Sequence, residues 1–246
     1  MAWIDLNCDM GEGLDNDALL MPFISSANIA CGYHAGDPDT MKRTIGLALQ
    51  NHVTIGAHPG FADKENFGRK EMDLSNELVY DMVLVQILML QDLCHSFHTH
   101  LHHVKPHGAL YNMAAKDPSL ANTIVKAVKH ADKNLILYGL SGSYLISEAK
   151  KLGLATASEV FADRSYQNDG SLTPRSQPGA LIEDEKTSLQ QVMQMVKEQT
   201  ATSINKKIIP ISAETICIHG DGKHAVAFAK TIHQSLKENK IEIKAV

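Results

Sequence analysis

Between His103 and Asn112 the chain reads His-Val-Lys-Pro-His-Gly-Ala-Leu-Tyr-Asn, an apolar approach ending in a cation, a rigid proline, an imidazole and a glycine. Proline fixes its own φ and pushes Lys105 toward extended backbone, so a strand can end here with Lys105 and His107 both aimed. Gly108 then lets the chain turn tightly or come close to a ligand. Alone, this could be a strand end with a solvated lysine and a satisfied histidine. Similar polar clusters follow almost every other strand-like run, however: Asn7 and Asp9, His34, His58, Glu159, and His219 with Asp221. Converging on one mouth, such groups could do two kinds of chemistry. Asp9, His34 and His58 form a carboxylate-plus-imidazole set that could hold a divalent metal and leave room for water. Alternatively, Lys105 or Arg164 could stabilise an oxyanion while a carboxylate or histidine activates water, with no metal involved. The spacing matches no HExxH motif, and Asp163-Arg164 reads equally as an ion pair at the mouth or as a substrate clamp.

Other reactive-looking stretches carry less. The tract His95 to His103 resembles a metal-binding run, but it falls at a helix end and return loop, opposite the expected mouth. Cys8 or Cys31 could act as a nucleophile with His34 or His107 as base, although small buried cysteines are the commoner outcome. Gly139-Leu140-Ser141-Gly142-Ser143 falls short of a GxSxG elbow. Gly220-Asp221-Gly222-Lys223 lacks the upstream glycine and the Ser/Thr of a phosphate-binding loop, so the chain should not bind ATP that way.

The elements that must position these groups alternate. Strands are expected at Trp3 to Asn7, Ser26 to Ala30, Val53 to Ala57, the run into Lys105, Leu135 to Gly139, Ala155 to Glu159 and Thr215 to Ile218, with Cys8 to Gly13 as the first exit. Helices are expected from Asp37-Pro38 to Asn51, from a Ser75 cap to about Phe97, from Asp117-Pro118, from Ser143 to Lys151, from Asp184 to Gln199 and from Ala225 to Leu236. The Ser75 helix is apolar on more than one side, so it is either buried or at a contact between protomers, as in a homo-oligomer. A polar excursion through Asp169-Gly170, Arg175 and Pro178-Gly179 follows the sixth strand, and Lys207 to Ile211 and Ile241 to Lys244 are candidates for extra strands. Strand–helix alternation implies a parallel sheet. Seven units in 246 residues, with no linker and with the reactive side chains at strand exits, fit a seven-stranded parallel (β/α) barrel, TIM-like, as a single domain over 1–246. An open doubly wound sheet would gather them at one switch point instead.

The totals narrow the setting. Hydrophobic and charged fractions of 44% and 21% suit a globular protein. A net charge of −5 and no basic stripe give no case for nucleic acid. The start lacks a signal peptide's basic and apolar regions. No apolar run is expected to span a bilayer, the nearest being Leu78 to Leu93. The four cysteines form no CxxC pair and suggest neither a structural zinc nor a disulfide scaffold; the cytoplasm is the simplest address.

Six blocks together resemble the LamB/YcsF family. They are Asp5 to Glu12, Asn28 to Asp37, Gly56 to Pro59 with Phe67-Gly68-Arg69, Val104 to Asn112, Glu159 to Arg164, and Cys217 to Asp221, in the family's order and across nearly the whole chain. The departures are Cys8 where alanine is usual, Gly60 where serine is usual, and Lys70 where a second arginine often follows. The resemblance implies kinship with glycoside hydrolase and deacetylase β/α barrels. It also implies the role of the A component of the ATP-hydrolysing 5-oxoprolinase, which opens the lactam of 5-oxoproline to glutamate together with subunits B and C. On that reading ATP is consumed by the complex. Asp9, Lys105, His107 and Glu159 would be catalytic, and Asn7, Glu12, His34, Asp163, Arg164, Arg175, His219 and Asp221 would bind substrate. Two rivals stand beside it: a lone metal-dependent amide or sugar N-deacetylase, and a non-catalytic regulatory barrel subunit.

Overall fold

The computed structural model describes residues 2–220 and 225–246. Its strands are β1 (Trp3–Met10), β2 (Ser26–Ala30), β3 (Thr54–His58), β4 (His103–Val104), β5 (Ile136–Leu140), β6 (Ala155–Phe161), β7 (Thr200–Thr202), β8 (Ile208–Pro210), β9 (Thr215–Ile218) and β10 (Glu242–Ile243). Its helices are α1 (Asp17–Leu20), α2 (Pro38–Gln50), α3 (Asn76–Ser96), α4 (Gly108–Lys116), α5 (Pro118–Ala131), α6 (Tyr144–Lys151), α7 (Glu185–Glu198) and α8 (Ala225–Glu238). Among the described residues, β1 to β6 and β9 pair side by side in parallel, and β9 returns to β1, with Asn7 opposite Cys217 and Cys8 opposite Ile218. The ring is closed, as the distribution of polar strand exits required. β7 and β8 form a separate antiparallel pair, and β10 adds to the start of β1.

The helices begin where their sequence signals lie. Asp37, Asp117 and Asp184 each accept backbone N–H groups from the first turn of α2, α5 and α7, and Ser75 does so for α3. Strand ends differ more. The stretch Cys8 to Met10, expected as an exit loop, continues β1 in register with β2. Asp5, Asn7 and Asp9 alternate with Leu6, Cys8 and Met10, and all six are buried. The polar set turns into the barrel and bonds across it, which an amphipathic surface strand would not do.

The fourth unit is also shorter than expected. β4 ends at Val104, and α4 begins at Gly108, where helix had not been expected. Gly108 has φ +55°, and a Cβ there would lie 2.5 Å from the Gly68 carbonyl oxygen, so both the turn and the close approach need glycine. Ala109, Leu110, Tyr111, Ala114 and Ala115 then bury one face of α4.

His103 is likewise not part of a solvated tract. It is fully buried inside the barrel, stacked on Tyr138 with ring centroids 4.2 Å apart. Its ring lies against Gly56, where an added Cβ would sit 2.0 Å from Nε2. Gly56→Ala should therefore lower unfolding stability by about 1–3 kcal/mol in urea titrations, the usual cost of forcing atoms into a packed core. Wild-type stability would mean that the ring is not seated on β3.

α3 corrects another expectation. By length and composition it could cross a membrane. Its Val79, Val83, Ile87, Leu90 and Cys94 are buried, in a helix that packs against α5. Leu78, Val85 and Leu88 lie exposed on it.

Candidate active site

At the carboxyl ends of the strands lies a cleft of about 360 Å3. Asp9 from β1, His58 from β3, and Lys105 and His107 beyond β4 line it, together with Glu12 and His219. Arg69, Lys116, Arg164 and Arg175 also line it and bring positive charge. Groups as far apart in sequence as Asp9 and His219 therefore meet at one mouth.

Lys105 is the centre of the floor. Its ammonium is buried, 2.8 Å from Asp9 Oδ1 and 2.9 Å from Glu159 Oε1, and it also reaches Asn7 Oδ1 at 3.3 Å and Cys217 Sγ at 3.1 Å. Burial alone would discharge the lysine; the facing carboxylates, Asp9 foremost, outweigh it and push its pKa well above the ordinary value. Burial would likewise raise the Asp9 carboxyl, but His58 and Lys105 hold it well below the usual range. Glu159 is closed off from solvent and accepts the Tyr111 hydroxyl at 2.6 Å.

A network of amides behind these groups fixes the arrangement. Asn28 donates from Nδ2 to Asn7 Oδ1 and to Asp9 Oδ1, both at 2.8 Å. A carboxylate can only accept, so the Asn28 oxygen must face His103, whose Nε2–H donates to it at 2.8 Å. Asn7 donates to Thr215, and Thr215 donates to Asp5. Burial, followed by the neighbouring His102, pushes the His103 pKa well below 6.5, so the folded chain keeps this ring neutral. An unfolded chain then binds one more proton below pH about 6.5. The contribution is complete above that pH and is lost as pH falls, by about 1.4 kcal/mol per unit. His103→Gln should flatten the acid limb of stability against pH by that slope in urea titrations between pH 7.5 and 5. An unchanged slope would remove His103 as its source.

The imidazoles pack closely. His58 Nδ1–H donates to the Lys105 carbonyl at 2.7 Å, and His107 Nε2–H donates to the Phe67 carbonyl at 2.9 Å. His34 stacks on His107 with centroids 3.8 Å apart. Burial, then the coupling to neighbouring His58, pulls the His34 pKa down to about 2 and holds His107 well below its usual value. Gln86 of α3 clamps the Gly60 backbone from both sides, fixing the loop beside these rings.

Two groups of side chains among the described residues have the spacing to hold a metal ion: Glu12, His34, His58 and His107, and separately Asp9, Cys217 and His219. The expected set of Asp9, His34 and His58 is thereby divided. Asp9 Oδ2 is 3.3 Å from His58 Nε2, while Lys105 and Asn28 both bond Asp9 Oδ1.

Several expected substrate contacts lie elsewhere. Asn7 and His34 are buried behind the cleft and do not line it, because Asn7 belongs to the amide network and His34 to the ring stack. Glu159, expected to be catalytic, also stands behind the wall, holding Lys105. Asp163 pairs with His219 at 2.9 Å, not with Arg164. Arg164 donates to the Thr173 and Ala180 carbonyls at 2.6 and 3.3 Å, bracing the excursion; burial, then Arg175, lowers its pKa to about 10. Asp221 lies outside the described residues. The cysteine nucleophile is overturned: Cys8 and Cys31 are buried away from the cleft, and burial pushes the Cys31 thiol up to about 12 and Cys8 well above its ordinary value.

The LamB/YcsF family model matches residues 4–246. The chain belongs to the LamB/YcsF family. Proteins named as the A component of 5-oxoprolinase, from Tolumonas auensis and Brevibacillus brevis, are 51% and 53% identical to it. Each match covers all of this LamB/YcsF chain, and 100% and 98% of the relative. A crystal structure of a lactam utilization protein from Thermus thermophilus superposes with a TM-score of 0.94 at 39% identity, covering 99% of this chain and 100% of the other. A family 4 carbohydrate esterase from Streptomyces lividans matches with a TM-score of 0.55 at 10% identity, covering 100% and 93%, a likeness of fold alone.

Sequence reasoning missed three features of this LamB/YcsF site. Arg69 stood only in a motif. Tyr111 and Lys116 fell on a stretch read as strand and loop, and as part of α4 they face the cleft. Asn28 carried a readable sign, an amide amid the small apolar residues of β2.

Proposed function

We propose that this chain is the A component of an ATP-dependent 5-oxoprolinase and hydrolyses the activated lactam of 5-oxo-L-proline to L-glutamate. The observation that carries the reading is Lys105: an ammonium held between Asp9 and Glu159 at the floor of a cleft lined by Arg69, Lys116, Arg164 and Arg175. That cleft suits a small acid bearing further negative charge. The name its relatives bear supports the same substrate.

Amide resonance makes the lactam carbon a poor electrophile. The chain has no phosphate-binding loop, so phosphoryl transfer from ATP to the lactam oxygen falls to the partner subunits B and C. The barrel then receives the phosphorylated ring. Water adds to the ring carbon, giving up a proton toward Asp9, and the C–N bond breaks as the nitrogen takes up a proton. A second water hydrolyses the resulting acyl phosphate to glutamate and phosphate. Lys105 offsets charge developing on oxygen, Glu159 fixes Lys105, and Arg69 and Arg175 hold the carboxylate and phosphate. The groups that perform this chemistry are charged and half-enclosed, unlike the charge-poor core of a scaffold interface.

The test is reconstitution. The chain with subunits B and C, ATP and 5-oxoproline should release glutamate and phosphate, and omission of any one component should stop it. Glutamate released by the purified chain with ATP alone would overturn the division of labour; a full complex inert on 5-oxoproline would overturn the substrate.

A further inference from the structure

The His58–His107 contact poses a bonding problem. Carbonyl oxygens only accept, so His58 spends its Nδ1–H on Lys105 and His107 spends its Nε2–H on Phe67. The two remaining nitrogens, His58 Nε2 and His107 Nδ1, face one another at 2.9 Å. In neutral rings both carry lone pairs, and nothing bonds. Glu12 Oε1 stands 3.5 Å from His107 Nδ1, 3.9 Å from His58 Nε2 and 3.5 Å from His34 Nε2. His34 is 1% exposed, and neither of its ring nitrogens makes a hydrogen bond among the described residues. Buried polar atoms are seldom left so. One cation between them would answer all of these at once.

We propose that Glu12, His58 and His107 bind a divalent transition metal, with His34 as the fourth donor. Three imidazole nitrogens and a carboxylate are a donor set that suits zinc, and cobalt(II) serves as its spectroscopic stand-in. Their ligand atoms all lie within 4.8 Å of one another. A tetrahedral zinc would need the two facing nitrogens about 3.3 Å apart, an opening of a few tenths of an ångström. The planes of His58 and His107 cross at 84°, so one ion can lie in both. His34 is parallel to His107, 5° from coplanar orientation, and joins by turning its ring, which no hydrogen bond of its own restrains. The two carbonyls act as the outer partners that fix which nitrogen of each imidazole points inward. The rival occupant is a proton: His58 charged, with its Nε2–H+ bridging to His107 Nδ1 at 2.9 Å or to Asp9 Oδ2 at 3.3 Å.

The site is tested without reference to turnover. The purified full chain is stripped with a chelator, dialysed against zinc, desalted and assayed for bound metal, and cobalt(II) loading is followed by its visible absorption. The expected result is about one retained equivalent per chain. Glu12→Gln and His107→Gln should each weaken zinc at least about tenfold and alter the cobalt spectrum. Replacing His95, His98 and His100 together by glutamine should leave binding intact. The proposal is overturned if the wild-type chain retains no zinc, if both single variants bind as it does, or if the tract variant loses the metal. It is equally overturned if nitrogen NMR shows a charged imidazole at this pair that added zinc does not discharge.

Discussion

Lys105→Met is expected to cut 5-oxoproline turnover by the reconstituted complex about a hundred- to a thousandfold, the scale seen when a charge-stabilising donor is removed from an enclosed site. It is also expected to cost about 3–5 kcal/mol of stability, because Asp9 and Glu159 would face each other in the barrel without their shared cation. The methionine fills nearly the same volume, so the loss reports charge and not a cavity. The two effects separate experimentally: turnover is measured below the variant's unfolding midpoint, and stability by urea titration of the isolated chain. A double variant, Lys105→Met with Glu159→Gln, should recover part of the stability and none of the turnover. Near-normal glutamate release by Lys105→Met would take the ammonium out of the mechanism. A variant as stable as wild type would show that the triad is solvated and not buried.

Asp9→Asn carries the next largest effect. The carboxylate accepts from Lys105 and Asn28 and faces His58, and the field of these partners keeps it ionised. An amide of the same shape can keep an oxygen toward Lys105 and Asn28, but it carries no charge and cannot take up a proton. The expected loss in kcat is about 10²–10⁴-fold, the usual weight of a positioned proton acceptor. KM should move far less, since the cations along the cleft that would hold the substrate are untouched. A rise in KM with unchanged kcat would instead make Asp9 a binding group, and wild-type kinetics would end its candidacy altogether. Stability should fall by about 1–3 kcal/mol, because the buried Lys105 ammonium loses a charged hydrogen-bond partner.

The legibility of this protein was uneven in a physically regular way. Caps and glycines are local chemistry, so Asp37, Ser75, Asp117 and Asp184 marked helix starts that the structure keeps. Strand ends inside the barrel were not local. The polar side chains of β1 point into the ring, where partners from β2, from Lys105 just past β4 and from β9 satisfy them, and a linear reading takes the same polarity for a loop. α4 was missed for a related reason: a proline and a histidine precede its glycine, and only the contact with Gly68 shows that the chain turns there into a helix.

Roles depended on partners in the same way. Asn7 has the right residue type for a site, yet it is occupied by neighbours distant in sequence. Arg164 sits at the right strand end, yet its guanidinium is committed to backbone carbonyls. By itself the sequence determined the alternation of strand and helix, the gathering of charged and imidazole groups at strand exits, and the family. Only the tertiary structure decided which of those groups reach the cleft and which stand behind it. Side-chain type is written residue by residue, whereas pairing, protonation and tautomer depend on what the closed ring of strands brings within 3 Å.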